Sequence, residues 1–217
     1  MSPETNTQAR MKVAVVKYNA GNIFSVVHAL KRMGVEPLLT DSEAELRSAD
    51  KVIFPGQGEA SNAMSYLRER GLDKVIPSLT QPVLGICIGQ QLMCRHSEEG
   101  DTDCLGIFDA EVKRFVPVKH EDKIPHMGWN TIAPLQPPPE EGGFLSPLLP
   151  GGGVGRGGFV YFVHSFYVPV CEDTAAITEY IHPFSAAMQK DNFFATQFHP
   201  EKSGEVGQQI LRNFLEL

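Results

Sequence analysis

Cys87 lies in Gly85-Ile86-Cys87-Ile88-Gly89, between the apolar run Val83-Leu84 and the helix-forming Gln90-Gln91-Leu92-Met93, so one thiol occupies a sharp strand-to-helix turn. A nucleophile is well placed there. Small residues on either side let the chain turn tightly, expose the side chain and aim the first N–H groups of the helix at it. Those N–H groups favour an anion, and a thiol attacks as its thiolate. The competing reading is a cysteine that merely fills space in a core.

A thiol nucleophile needs a base to take its proton and return it to a leaving group, and the base needs an orienting partner. Among seven histidines, His199 stands out because it follows the strand-like Phe193-Phe194-Ala195-Thr196-Gln197-Phe198 and precedes Pro200-Glu201. A strand end sets it at the sheet edge where Cys87 is expected. Glu201, past a rigid proline, can fold back to hold the imidazole. Read plainly, the pair is a strand-end histidine beside a solvated carboxylate. Attack on an amide also creates an oxyanion, which calls for donors already in place. Ile88 offers one backbone N–H at the elbow. Pro55-Gly56-Gln57-Gly58, after a strand ending at Phe54, offers another around Gln57, because its two glycines let a peptide plane turn inward. Most loops of this composition are only turns.

These residues need elements to carry them. After a polar leader over residues 1–10, expected to be flexible, residues 11–217 read as a single domain. Lys12-Val13-Ala14-Val15-Val16 reads as a buried strand, and Gly21-Asn22 opens a helix with Ile23, Val26, Leu30 and Met33 along one side. Glu36-Pro37-Leu38-Leu39 and Lys51-Val52-Ile53-Phe54 are further strands, with a charged helix between them and another after Glu59. Gln81-Pro82-Val83-Leu84 leads into Cys87. The alternation predicts an α/β fold: a mostly parallel central sheet with helices on both faces and right-handed crossovers. Its active site belongs beyond the carboxyl ends of the strands, where the loop after Phe54 and the turn at Cys87 both fall.

The second half reads as a short antiparallel β extension, a meander of strands around residues 111–115, 161–164, 166–168 and 186–188. Residues 134–158, with runs of three prolines and three glycines, read as a mobile surface loop. Ser203 is a candidate cap for a last helix carrying Val206, Ile210 and Phe214.

The chain has 217 residues, 42% of them hydrophobic, enough for one sizeable core. With 19 basic against 26 acidic residues its formal charge is −7, which argues against a surface for a phosphate backbone and so against nucleic acid as a partner. No stretch has the apolar length of a membrane span, and Met1-Ser2-Pro3-Glu4-Thr5 lacks the parts of a signal peptide, so no membrane partner and a soluble, cytoplasmic protein are expected. Cys87, Cys94, Cys104 and Cys171 show no paired metal-type spacing. No disulfide, metal or cofactor is expected.

Gly85-Ile86-Cys87-Ile88-Gly89-Gln90-Gln91 together with Gln197-Phe198-His199-Pro200-Glu201-Lys202-Ser203 resembles the class I (triad) glutamine amidotransferases, over nearly the whole chain from Lys12. Three further segments resemble one branch of that family, the glutaminase subunits of imidazole glycerol phosphate synthases of histidine biosynthesis. They are Tyr18-Asn19-Ala20-Gly21-Asn22-Ile23, Pro125-His126-Met127-Gly128-Trp129-Asn130 and Tyr161-Phe162-Val163-His164-Ser165-Phe166. The resemblance implies that Cys87 attacks the side-chain amide of glutamine to give a glutamyl thioester and ammonia, with His199 protonating the departing nitrogen and Glu201 orienting it. It also implies a glutamine pocket lined by Gly58, Gln91, Glu99, Ser165 and Phe166, with Glu99 facing the substrate ammonium and the Ser165 region its carboxylate. Ammonia would pass to a separate (β/α)8 cyclase subunit, in a heterodimer, to make imidazole glycerol phosphate and an aminoimidazole carboxamide ribotide. Asn22 and Trp129 match positions near that interface.

Each carry-over has a plain counterpart. Ser97-Glu98-Glu99-Gly100 equally reads as an exposed helix end, and Trp129 as a core anchor. The chain also departs from the family pattern. Gln57 replaces a small apolar residue in the oxyanion loop, Phe166 stands where a tyrosine is usual, Cys94-Arg95-His96 is atypical, and the loop 134–158 is long. Other readings are an amidotransferase subunit of another pathway, a stand-alone glutamine or γ-glutamyl hydrolase, and a non-catalytic docking subunit. The last has no need of Cys87, His199 and Glu201 together.

Overall fold

The computed structural model describes residues 11–18, 21, 23–135, 143–145 and 158–217. The leader 1–10 and Asn22 lie outside them. The first half of the chain is a run of alternating elements: β1 (Val13–Val16), α1 (Ile23–Arg32), β2 (Leu38–Thr40), α2 (Glu43–Arg47), β3 (Lys51–Phe54), α3 (Ala60–Glu69), α4 (Leu72–Val75), β4 (Val83–Ile86) and α5 (Ile88–Met93). Then come β5 (Cys94–Ser97), β6 (Thr102–Asp103), β7 (Phe108–Arg114), β8 (His126–Thr131), β9 (Ala133–Pro134) and β10 (Phe159–His164). The chain continues through β11 (Phe166–Tyr167), β12 (Thr174–Tyr180), β13 (His182–Lys190), β14 (Phe193–Thr196) and α6 (Gly204–Glu216).

The main sheet has the order β2-β1-β3-β4-β14-β13-β12-β9. Its first five strands are parallel and its last three antiparallel. Every residue of β1, β3, β4 and β14 is buried, as expected for strands covered on both faces. Period-two alternation divides their side chains between two cores. Ala14, Val16, Val52, Phe54 and Ala195 enter one, beneath α3, α4 and α5; Val13, Val15, Ile53, Leu84 and Phe194 enter the other, beneath α1 and α6. Helices on both faces are thus a consequence of the strand pattern.

The second half departs from the expected meander. Its strands are present, but β10 pairs with β8 and β7 pairs with β5 and β11 in two further sheets, while β13 joins the main sheet. Strand-forming composition marks each segment without naming its partner. The segment read as a surface loop also reaches the interior: Phe144 and Leu145 are buried, and the Phe144 ring packs 5.3 Å from that of Phe194.

Ser203 sits at the N-cap of α6, yet its hydroxyl makes no cap bond. It donates to the carbonyl of His199 at 2.6 Å and accepts from the N–H of Tyr161 at 3.0 Å. The His199 carbonyl also accepts from the N–H of Lys202 at 3.0 Å, so the hydroxyl ties β10 to the turn after His199 and does not serve the helix. Ser203→Ala should lower the unfolding free energy by about 1–3 kcal/mol in a denaturant melt. Ser203→Asp, an equally good helix cap, should not restore it, because a carboxylate cannot donate to His199.

Candidate active site

Three neighbouring parallel strands end side by side. Phe54 of β3 is registered against Gly85 of β4, and Ile86 of β4 against Thr196 of β14. With strands about 4.8 Å apart, whatever follows these ends is brought within reach. The loop over residues 55–58 follows β3, Cys87 follows β4, and His199 follows β14. The N–H of Cys87 donates to the carbonyl of Thr196 at 2.7 Å, so the thiol turn and the end of β14 share a backbone hydrogen bond.

Cys87 adopts φ 56° and ψ −107°, a conformation rare for a residue with a side chain, and this presents the thiol at the turn. Gly89 makes the turn possible, since a Cβ there would collide with the carbonyl oxygen of Phe54. Sγ contacts the Val163 carbonyl at 3.9 Å and the Gln197 amide nitrogen at 3.8 Å. Two thiols elsewhere in the chain are poor nucleophiles: burial drives Cys94 well up, and burial drives Cys104 up to about 12.

His199 is buried, and its Nδ1 lies 2.8 Å from Oε1 of Glu201, whose side chain is also buried. Proline at position 200 begins a short 3-10 turn over Pro200–Lys202 that folds the carboxylate back onto the ring. The solvated-carboxylate reading is thereby excluded. Nε2 of His199 is buried with no hydrogen-bond partner among the described residues, which leaves it for the reaction. Burial opposes a charge on this ring, but the negative charge of Cys87 close by, together with the Glu201 hydrogen bond and charge, outweighs it and pushes His199 up to about 10.

Cys87 opens onto a cleft of about 340 Å³, a size suited to a small ligand. Gln57, Gly58, Ile88, Gln91, Glu99, Ser165 and Phe166 all line it, with Pro125, Val163 and His164. Glu99 follows β5 and accepts from the N–H of Ala60 at 2.8 Å, half-buried, so it is no exposed helix end. Burial raises its carboxyl against the pull of that hydrogen bond. Gln91 is occupied by the protein: its amide nitrogen donates to the Phe166 carbonyl at 2.9 Å and to Oε1 of Gln197 at 3.0 Å. Trp129 is 56% exposed on β8, which excludes a core anchor. No group of residues able to hold a metal ion occurs among the described residues.

Two residues of this region carried no role in the sequence reading. Gln197 lies inside the quoted histidine motif, and only the turn after β14 shows that it reaches the thiol. Tyr18 lies in a motif quoted for its resemblance alone. Its buried hydroxyl donates to the Pro55 carbonyl at 2.6 Å, and a Cβ at Gly56 would collide with that hydroxyl, so the phenol fixes the start of the loop over residues 55–58. Gln57 is tied from the other side, its carbonyl accepting from the N–H of Gly21 at 2.8 Å.

Residues 14–217 match the family model described as glutamine amidotransferase class-I. The chain is 65% identical over 207 residues to the imidazole glycerol phosphate synthase subunit HisH of Bacteroides thetaiotaomicron, covering 95% of this chain and 100% of that one. It is 43% identical over 208 residues to the protein of the same description from Pectobacterium atrosepticum, again covering 95% and 100%. Among solved structures, one described as a glutamine amidotransferase superposes with TM-score 0.68 at 18% identity, over 94% of this chain and 97% of that one. A glutamine amidotransferase from Thermotoga maritima does so with TM-score 0.64 at 15% identity, over 95% and 97%. At such identities the two structures speak for the fold.

A titration follows from the His199 environment. The raised value means that pairing of the imidazolium with its partners is fully present below the ordinary value of 6.5 and is lost as pH rises through about 10. An NMR titration of the ring should find its midpoint in that alkaline range. Cys87→Ala removes the strongest influence opposing burial, and the midpoint should fall. An unchanged midpoint would mean that thiol and imidazole do not interact.

Proposed function

The chain belongs to the class-I glutamine amidotransferases and, among them, to the HisH subunits of imidazole glycerol phosphate synthase, and from that premise we propose that Cys87, His199 and Glu201 are its catalytic triad, acting within one amidotransferase domain over residues 11–217. As the glutaminase subunit it hydrolyses glutamine and supplies ammonia to a cyclase subunit. The observation that carries the residue assignment is the convergence of thiol, paired imidazole and cleft at three adjacent strand ends.

Sγ of Cys87 attacks the δ-carbon of glutamine, forming a C–S bond and an oxyanion. The N–H of Ile88 and an N–H from residues 55–58, at Gln57, receive that charge. When the intermediate collapses the C–N bond breaks, and His199 gives its proton to the nitrogen, which leaves as ammonia. His199, now neutral, takes a proton from water, the hydroxide oxygen bonds to the thioester carbon, and the C–S bond breaks to release glutamate. Glu201 holds Nδ1 throughout, so that Nε2 exchanges the protons. Glu99 binds the α-ammonium, and the Ser165-Phe166 segment binds the α-carboxylate.

The docking face we assign to the outer side of β8 and β10. Met127, Trp129 and Phe159 are exposed there, with Tyr161 beside Trp129 at 6.0 Å and the Lys202 amine 6.0 Å from the Tyr161 ring. Exposed aromatic residues next to a cation are common anchors of protein interfaces. No helix among the described residues is long and apolar enough to cross a membrane, and we place the protein in the cytoplasm with its substrate supply.

Glutamate release should be slow with this chain alone and rise strongly when the cyclase and its ribonucleotide are added. Equal turnover with and without them would favour a stand-alone hydrolase. In the complex, Cys87→Ala should abolish glutamine-dependent synthesis and spare synthesis from ammonium salts. Loss of both would assign Cys87 a structural role.

A further inference from the structure

Two buried imidazoles lie outside the triad. His126 begins β8 and His164 ends β10, opposite one another in the antiparallel register. Nδ1 of His126 is 3.2 Å from Nε2 of His164, and Nδ1 of His164 is 2.7 Å from the carbonyl oxygen of Phe166. A carbonyl only accepts, so Nδ1 of His164 carries a proton, and in a neutral ring its Nε2 must then be the acceptor. The proton between the rings therefore belongs to Nδ1 of His126. That leaves Nε2 of His126 as an acceptor, facing the amide nitrogen of Asn130 at 3.5 Å.

Both rings are neutral because burial draws His126 down to about 4 and His164 down to about 3, where the charges of His126 and His199 add to burial against the Phe166 hydrogen bond. The Phe166 carbonyl accepts a second hydrogen bond from Gln91, which also donates to Gln197, whose amide reaches Cys87. Hydrogen bonds therefore run without a break from β8 to the nucleophile, with each partner's role determined.

We propose that His126 and His164 are positioning residues for glutamine: their hydrogen bond, fixed in direction, clamps the Ser165-Phe166 wall of the cleft to β8, the strand whose outer face carries Trp129. The identity of the ligand rests on the function proposed above; the clamp itself does not. It requires both rings to be Nδ1–H tautomers, the less common form of a free imidazole.

The test uses the synthase complex with its glutaminase subunit labelled at histidine nitrogen. At neutral pH both rings should report a protonated Nδ1 and a bare Nε2, and a protonated Nε2 on either would overturn the clamp. His126→Phe keeps the stacking on Tyr180, now at 4.0 Å, and on Phe162, at 4.8 Å, but removes the donor. It should raise the glutamine KM roughly tenfold with little change in kcat, leaving ammonia-dependent synthesis intact. His126→Asn, which places an N–H near the lost Nδ1, should bring KM back towards wild type. An unmoved KM in His126→Phe, or no rescue by His126→Asn, would sink the proposal even where the wild type releases glutamate normally. A wild-type complex that releases none would instead overturn the function on which the ligand's identity rests.

Discussion

The backbone hydrogen bond from Cys87 to Thr196, 2.7 Å long, is the constraint on which the site depends. It extends the parallel pairing of β4 and β14 one residue past the strand ends, just where the chain leaves the sheet for the elbow. A slip of one residue would turn every side chain of β14 to the other face, exchanging what it gives to the two cores. The apolar alternation that stabilises the sheet therefore also fixes the distance from thiol to imidazole. The geometry of the proposed triad is inherited from packing, and Gln197 converts that inheritance into direct contact with the thiol.

The site carries its costs openly. Cys87 holds a backbone conformation that costs of order 1–3 kcal/mol, and it persists only because the surroundings over-determine it. Nε2 of His199 and Oε2 of Glu201 are buried without partners among the described residues. Groups buried in this way destabilise a fold unless something else holds them, and here neighbouring strand ends do so. What is poor for stability is apt for chemistry, because an unpaired nitrogen is free to move a proton.

Much of this was legible from local patterns. β1, β3, β4 and β14 declared themselves because strands buried on both faces read as continuous apolar runs. Cys87 was legible because an elbow needs small neighbours within two residues, and Glu201 because it lies two residues from His199. The rest depends on pairings that no local pattern encodes. β8 meets β10 across a long intervening segment, so the contact of His126 with His164 could not be read from either strand. Gln91 and Gln197 are polar residues inside apolar surroundings, 106 positions apart, and each makes sense only beside the other. Ser203 misled because a hydroxyl at a helix start usually caps the helix, and here the Tyr161 N–H and the His199 carbonyl take it instead.

The antiparallel β8–β10 pair divides its residues by parity. Met127, Trp129 and Thr131 are exposed on β8, while His126 is buried and Asn130 half-buried; on β10, Val160, Phe162 and His164 are buried between the more open Phe159, Tyr161 and Val163. On the docking and positioning roles proposed for this pair, two sets of requirements are written on one ribbon in interleaved positions. A lineage can redraw its outer row to follow a drifting companion protein while the inner row stays under separate selection. Specificity for a collaborator and competence for substrate can evolve at different rates within the same dozen residues.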